Sequence, residues 1–493
     1  MKVKNISPKL SARANYTFSG MTILQHEPAA APKKVFLPCV SLPRANFYEN
    51  IFYNAFDLVL HCLIIVFNIY HEIFKDFSTS LQLVHKKSNF EYNRRMLYKK
   101  QIFAFFSVLS FLFLSCTDKQ TKKEIENHKR ALEFNQYVVQ IQKENDDKLQ
   151  NYFDSLTLEQ KISQIFIENL EGCTKFRSYE TVGKMNGTND ETPLIAGGYL
   201  FFSYNIAQTP EKQKEFAKSI QDYCDEYNLI YPFLCVDQEG GWVSRLKTLN
   251  DKLPSNKEVS ESYSIEQAYR LYQNQASQMK NLGFHMNLAP VIETETQDNC
   301  DFLDGRSFGD YQKVIDYGRA CINAYQNNNI STVVKHFPGN TNTDPHSGLP
   351  EITLSENDLN KSIMSFKNIL DYNPAAVLMS HARTLAIDKQ TPACLSKEWV
   401  TEILRNEFGY EGLIISDDIL MAALSENGFP PQKAVIMAIE AGVDCIMISQ
   451  KRFASSAQIL YDKAQKDSDF LALLQKASFR VIKYKVNNGL LKL

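Results

Sequence analysis

Ser331-Thr332-Val333-Val334-Lys335-His336-Phe337-Pro338-Gly339 begins as a buried strand and ends in charge. The β-branched run Thr332-Val333-Val334 favours extended backbone, and its continuous apolar character marks a strand covered on both faces. Asp344-Pro345-His346 and Gly348-Leu349-Pro350 follow, so two imidazoles, an ammonium and a carboxylate fall within the sixteen residues from Lys335 to Pro350. Polar groups crowded past the C-terminal end of a strand are where α/β barrels carry their chemistry. A satisfied loop histidine would explain one such residue, but not a cluster answered by carboxylates elsewhere in the chain.

Working outward, Gly412-Leu413-Ile414-Ile415-Ser416-Asp417-Asp418 is a second apolar strand ending in carboxylates. One aspartate can serve the backbone of the following helix while the other acts, and alternation turns Asp418 away from the face of Asp417. A third is Phe233-Leu234-Cys235-Val236-Asp237, continued by Gln238-Glu239-Gly240-Gly241-Trp242 and Arg245. The glycines permit tight backbone geometry beside a ligand. Trp242 has two readings, a ring that stacks on a ligand and an aromatic packed into its loop.

Apolar runs recur at Gln164–Ile167, Gly198–Phe202, Phe233–Asp237, His285–Val291, Thr332–Phe337, Ala375–His381, Leu413–Asp417 and Asp444–Ile448. Helix-like stretches fill the intervals. Eight such units predict an α/β fold, a (β/α)8 TIM barrel in one catalytic domain. An open doubly wound sheet is the alternative, and no Gly-rich dinucleotide turn supports it. In the barrel, Asp237, Lys335, His336, His381 and Asp417 all end strands, so one face gathers them from distant positions.

These segments together resemble glycoside hydrolase family 3, specifically its single-domain β-N-acetylhexosaminidases. The resemblance rests on the D-Q-E-G-G loop at Asp237, the K-H-F-P-G strand end at Lys335, the D-x-H loop at Asp344 and the S-D-D segment at Ser416. Asn287-Leu288-Ala289-Pro290-Val291, Gly305-Arg306-Ser307-Phe308 and Ser380-His381-Ala382 support it, as do Arg480-Val481-Ile482-Lys483 and Gly489-Leu490-Leu491. It covers residues 151–493 and implies a retaining exo-β-N-acetylhexosaminidase acting on terminal GlcNAc. Asp417 then stands at the nucleophile position, His346 at the general acid/base, and Asp344 at the carboxylate that orients it. Asp237, Arg245, Arg306, Lys335 and His336 stand at substrate-binding positions. Many family members take the acid/base from a further domain; here the chain ends soon after its eighth unit, which favours the histidine. Two departures stand out. Gly339-Asn340-Thr341 replaces the usual G-H-G, and the stretch to His346 is about two residues shorter. The resemblance implies no cofactor and no metal. Another β-glycosidase, a GlcNAc phosphorylase and a non-catalytic glycan-binding lipoprotein are the alternatives.

Composition sets the rest. The 493 residues are 44% hydrophobic and 22% charged, with a formal net charge of −2, which is ordinary globular material with no footprint for nucleic acid. Ten scattered cysteines form no C-x-x-C pair, so neither a zinc site nor a disulfide framework is indicated, and Cys235 reads as core. Met96-Leu97-Tyr98-Lys99-Lys100, the apolar run Ile102–Leu114 and Ser115-Cys116 read as a secretory signal. The cysteine at its end resembles a bacterial lipoprotein signal and makes Cys116 the lipidation candidate. The run is short for a hydrocarbon core of about 30 Å. A signal starting at residue 96 implies that Met96 is the true start and that residues 1–95 are a mis-called upstream extension, poorly packed. Residues 96–116 are then the signal, 117–150 a charged tether or exposed helix, and 151–493 the catalytic domain. The expected protein is a monomer anchored by lipid to the bacterial cell envelope membrane, with a GlcNAc-containing glycan as its partner.

Overall fold

The structure is a computed structural model that describes residues 119–449 and 451–493. The signal segment, Cys116 and residues 1–95 lie outside the described residues. The barrel lies within the unit Glu126–Leu493.

Eight parallel strands form one sheet: β1 Phe166–Asn169, β2 Gly198–Phe201, β3 Phe233–Val236, β4 Met286–Asn287, β5 Ser331–Phe337, β6 Ala376–Met379, β7 Leu413–Ile415 and β8 Ile446–Met447. Their order is β7-β6-β5-β4-β3-β2-β1-β8. A parallel bridge between Ile415 and Cys445 joins the two ends, and Ser416 N donates to Cys445 O at 2.9 Å. The sheet therefore closes on itself, as eight alternating strand–helix units predict.

Each predicted run overlaps its strand, with shifted ends: β1 runs on past Ile167 to Asn169, and β5 begins one residue before Thr332. The first starts at Phe166 because Thr157 and Gln160 form a capping box on the helix Leu158–Gln164, which carries Gln164 in helical geometry. In the fourth run, only Met286 and Asn287 have ladder geometry. Pro290 has no N–H to give, yet its carbonyl still accepts from Lys335 N at 3.3 Å, so the chain keeps following β5.

Alternation along the strands sorts the core. Ile167, Leu200, Cys235, Met286, Val333, Leu378, Leu413, Ile415 and Met447 pack together in the interior of the barrel. Phe166, Tyr199, Leu234, Val236, Val334, Val377, Ile414 and Ile446 point out into the layer beneath the helices. Continuing the period of two places Asp237, Lys335 and Asp417 on the inward set, one layer above the apolar filling.

The opposite end is plugged by the helix Ser468–Asn487. Val481 and Tyr484 join the interior cluster, and Tyr484 Oη donates to Ser331 Oγ at 2.8 Å. Lys485, fully buried there, donates to Gln164 Oε1 at 2.5 Å, and burial pushes its ammonium down to about 7. The helix Lys119–Ser155 leads into the barrel; Leu149, Phe153 and the adjoining Leu156 pack against Ile230 and Ile482. Among the described residues, no helix is long and apolar enough to cross a membrane.

Candidate active site

The C-terminal ends of β3 and β5 are tied together by charge. Lys335 Nζ donates to Asp237 Oδ1 at 2.7 Å and lies 2.6 Å from Glu239 Oε1. Glu239 also receives Arg306 in a fork, Nε to Oε2 at 2.8 Å and Nη2 to Oε1 at 2.9 Å. Burial opposes all three charges. For Glu239 the adjacent Arg306 and Lys335 outweigh it and hold the carboxyl well below its ordinary value. Burial would likewise lower Lys335 and Arg306, but Asp237 and Glu239 raise the ammonium and Glu239 raises the guanidinium. The set is ionised and mutually locked.

His336 is held from behind. Its Nδ1–H donates to Glu293 Oε1 at 2.7 Å, and its backbone N–H reaches the same oxygen at 3.2 Å. Glu293 also accepts from Asn340 N at 2.6 Å and from Asn340 Nδ2 at 3.2 Å. The ring's other nitrogen faces Arg306 Nη2 at 3.5 Å, and the Phe302 ring lies beside both, 6.4 Å from the imidazole and 5.4 Å from the guanidinium. Arg245 is half-buried; its backbone N–H reaches Asp237 O at 3.4 Å, and its enclosed Nε has no hydrogen-bond partner.

Asp417 stands two residues past β7. Burial would raise its carboxyl, but the His381 and His336 rings, the Asp418 N–H and the Lys335 ammonium together bring it below its ordinary value. The Asp418 N–H donates to Asp417 Oδ1 at 2.8 Å. Asp418 has the backbone role that alternation assigns: its carboxylate accepts from Leu420 N at 3.0 Å and Ser449 N at 3.1 Å. It does not cap the next helix, Ala422–Ser425, whose N-cap is Met421.

His346 and Asp344 form a pair on the loop after β5. The ring Nδ1–H donates to Asp344 Oδ1 at 2.8 Å, and His346 N donates to it at 2.9 Å. Partial burial would raise Asp344, but those hydrogen bonds and the charges of His346 and Arg306 hold it below the ordinary carboxylate range. Nε2 is left open. The loop is tied on both sides: Pro345 O accepts from Ala423 N at 3.2 Å, and Asn342 N donates to Asp298 O at 2.7 Å.

Four buried residues complete the site without having been assigned roles from sequence. Glu239 lay inside a quoted motif, Asn340 stood out only in the Gly339-Asn340-Thr341 departure, and Glu293 carried no local signal because its partners His336 and Asn340 are 43 and 47 residues away. His381 was visible as a strand end and within the Ser380-His381-Ala382 segment, with no role attached. Its Nε2–H donates to Asp418 O at 3.0 Å, and its Nδ1 faces Cys394 Sγ at 3.2 Å. A carbonyl can only accept, so the proton sits on Nε2 and Nδ1 accepts from the thiol. Burial pushes the imidazole below its ordinary value, against the pull of Asp417 and Asp418, and the Cys394 thiol well above its own, both in the direction of these neutral forms. A cavity of about 490 Å³ lies behind Glu293 and Asn340, and neither Asp417 nor His346 lines it.

A charged ring at the C-terminal mouth of a closed barrel and an exposed His–Asp pair beside it suit hydrolysis of a polar ligand. The glycosyl hydrolase family 3 N-terminal domain matches residues 157–483. The chain belongs to this family. Among curated relatives, Beta-hexosaminidase A of Pseudoalteromonas piscicida is 26% identical over 273 residues, covering 51% of this chain and 45% of that one. Beta-hexosaminidase LpqI of Mycobacterium tuberculosis is 30% identical over 219 residues, covering 42% and 56%. The chain thus spans about half the length of these curated relatives. A solved family 3 β-N-acetylglucosaminidase from Paenibacillus superposes with a TM-score of 0.61 at 24% identity, over 69% of this chain and 65% of its own, a likeness of fold.

Proposed function

We propose that this family 3 protein is a retaining exo-β-N-acetylhexosaminidase that removes terminal GlcNAc from peptidoglycan fragments or other glycans. The observation that carries the reading is the His346–Asp344 pair on a barrel loop tied by Pro345 to the segment just beyond Asp417. Asp417 supplies an ionised carboxylate, and His346 presents Nε2 for proton transfer. Asp237, Lys335, His336, Arg306 and Arg245 offer charged acceptors and donors for sugar hydroxyls and the N-acetyl group. Two steps follow. Asp417 attacks the anomeric carbon while His346 Nε2–H protonates the departing glycosidic oxygen, giving a glycosyl ester. Water then attacks that carbon, His346 takes its proton, and Asp417 leaves. Asp344 keeps the ring's other proton on Nδ1, so it supports the imidazolium before the first step and after the second, and leaves Nε2 free as a base between them.

Residues 96–116 extend the proposal to the envelope: cleavage before Cys116 and its lipidation would anchor the mature chain to the membrane. A 2-fluoro or similar mechanism-based sugar tests the chemistry. The label is expected on Asp417, and a label on Asp418 or Asp344 refutes the assignment. Mass spectrometry of the native protein tests the start, since peptides from residues 1–95 recovered in quantity would sink it.

A further inference from the structure

We infer that Trp242 is a stacking platform for a second sugar ring, just outside the site that holds the terminal one. This rests on the reading of the protein as a glycosidase of β-GlcNAc. The structure decides between the two sequence readings of this residue: its side chain is 82% exposed, so it is not packed into its loop. An indole this exposed offers a flat apolar face with a polar N–H at its edge, which suits the C–H face of a sugar ring.

Its placement ties it to the site. Trp242 sits at the tip of a hairpin, Gln238–Gly240 paired with Val243–Ser244, that rises directly from Asp237. The same hairpin contributes Glu239 to Lys335 and Arg306. Five residues of chain separate Trp242 from Asp237, a reach of at most about 17 Å. That reach lets a ligand longer than one sugar extend from Asp237 to the indole, which a single ring bound at Asp237 need not touch.

The hairpin is also rigid. Gln238 Nε2 donates to Ser244 Oγ at 3.0 Å, Leu246 N donates to Gln238 Oε1 at 3.0 Å, and Gly241 N donates to Leu253 O at 3.0 Å. Gly240 and Gly241 have φ of +107° and +55°, and a Cβ on Gly240 would stand 2.1 Å from Pro254 O. The tip thus lies flush against Leu253-Pro254-Ser255, and the adjoining Asn256 binds Arg306 O through Nδ2 at 2.7 Å. A platform fixed in this way pays little entropy when a ring lands on it. The polar faces of a sugar are met at Asp237 and Arg306, and its C–H face is offered an apolar plane.

The chain has two tryptophans, and the other, Trp399, is fully buried with Nε1 donating to Thr384 Oγ1 at 2.7 Å. Iodide-quenchable emission of the purified protein therefore reports Trp242. The test titrates the inactive Asp417→Ala protein with N,N′,N″-triacetylchitotriose. A blue shift and loss of iodide quenching are expected, with GlcNAc alone giving neither. In the active enzyme, Trp242→Ala should lower kcat/KM for the trisaccharide up to about tenfold relative to that for the single-ring substrate β-GlcNAc fluoride, and Trp242→Phe should retain most of it. An enzyme that turns over the trisaccharide with no Trp242 response overturns the platform alone. A response to anionic phospholipid vesicles and not to the glycan overturns it in favour of a membrane contact. A wild-type protein with no turnover of any β-GlcNAc substrate overturns the function on which it rests.

Discussion

The two halves of the site are built in opposite ways. Around Asp237, Lys335, Glu239, Arg306, His336 and Glu293, every charge has a partner within 3 Å; the Lys335 side chain is 4% exposed and that of Glu239 1%. The His346 ring, by contrast, is 76% exposed and its Asp344 partner 54%. The difference fits the roles proposed for the two halves. A pocket that recognises a hydroxyl pattern gains from fixed, desolvated groups that need no reorganisation. A group that gives a proton and later takes one from water must stay open to solvent and to the departing sugar. The buried half also keeps its ionisation through mutual pairing, whereas an exposed pair is screened and worth little to stability.

The comparison breaks most severely at Asp417, which belongs to the buried half by environment and to the reaction by its proposed role as nucleophile. Asp417→Ala should reduce turnover on the order of 10⁴-fold or more while leaving the melting transition in place. Steady-state assays with circular dichroism check this, and retained activity would remove Asp417 from the chemistry.

The exposed half predicts a different pattern. His346→Ala should cost on the order of 10²- to 10⁴-fold on substrates with poor leaving groups and far less on activated aryl glycosides, since only the former need protonation. Asp344→Asn should give a milder form of the same selectivity. Because both side chains are exposed, neither change should move thermal stability by more than about 1 kcal/mol. Equal losses on both substrate classes would show that His346 is not the acid.

Glu239 sharpens the contrast through stability. Its removal leaves Lys335 and Arg306 facing each other in a buried site, so Glu239→Ala should cost about 3–5 kcal/mol in denaturant unfolding. The pH dependence has a definite sign. Its folded carboxyl lies below the unfolded value, so it contributes stability above about pH 4.3 that is lost as the pH falls. Glu239→Gln should flatten that acid loss, and an unchanged acid limb would mean the network is not ionised as described.

How much of this was legible in sequence depends on the range of the interaction. The eight strands were readable because apolar runs and their spacing are local, and period-two alternation placed Asp237, Lys335 and Asp417 on one inner face. Strand ends were less so, as at Gln164, where a capping box beginning at Thr157 extends the helix into the predicted strand. His346 and Asp344 were legible as neighbours two apart. Glu293 was not, since nothing near it in the chain announces His336 or Asn340. The His381–Cys394 contact was equally hidden, because no short-range pattern links a strand end to a cysteine thirteen residues on.

That contact gives the last and smallest expected effect. The Cys394 thiol donates to His381 Nδ1, which keeps the proton on Nε2 and aims it at Asp418 O. The same turn presents the Asp418 N–H to Asp417. Cys394→Ala leaves a buried Nδ1 without its donor, a loss of about 1–3 kcal/mol. The ring can then adopt the other tautomer, release the Asp418 carbonyl and loosen the N–H held on Asp417. The carboxyl of Asp417 should rise, so kcat should fall several-fold and the acid limb of kcat/KM should move to higher pH. Cys394→Ser restores a donor of similar reach and should restore both the rate and the limb. A cavity effect alone would lower stability in Cys394→Ala without moving the pH profile. Serine and alanine variants with the same profile would therefore show that Cys394 only fills space, and that the turn at Asp417 is set by its backbone.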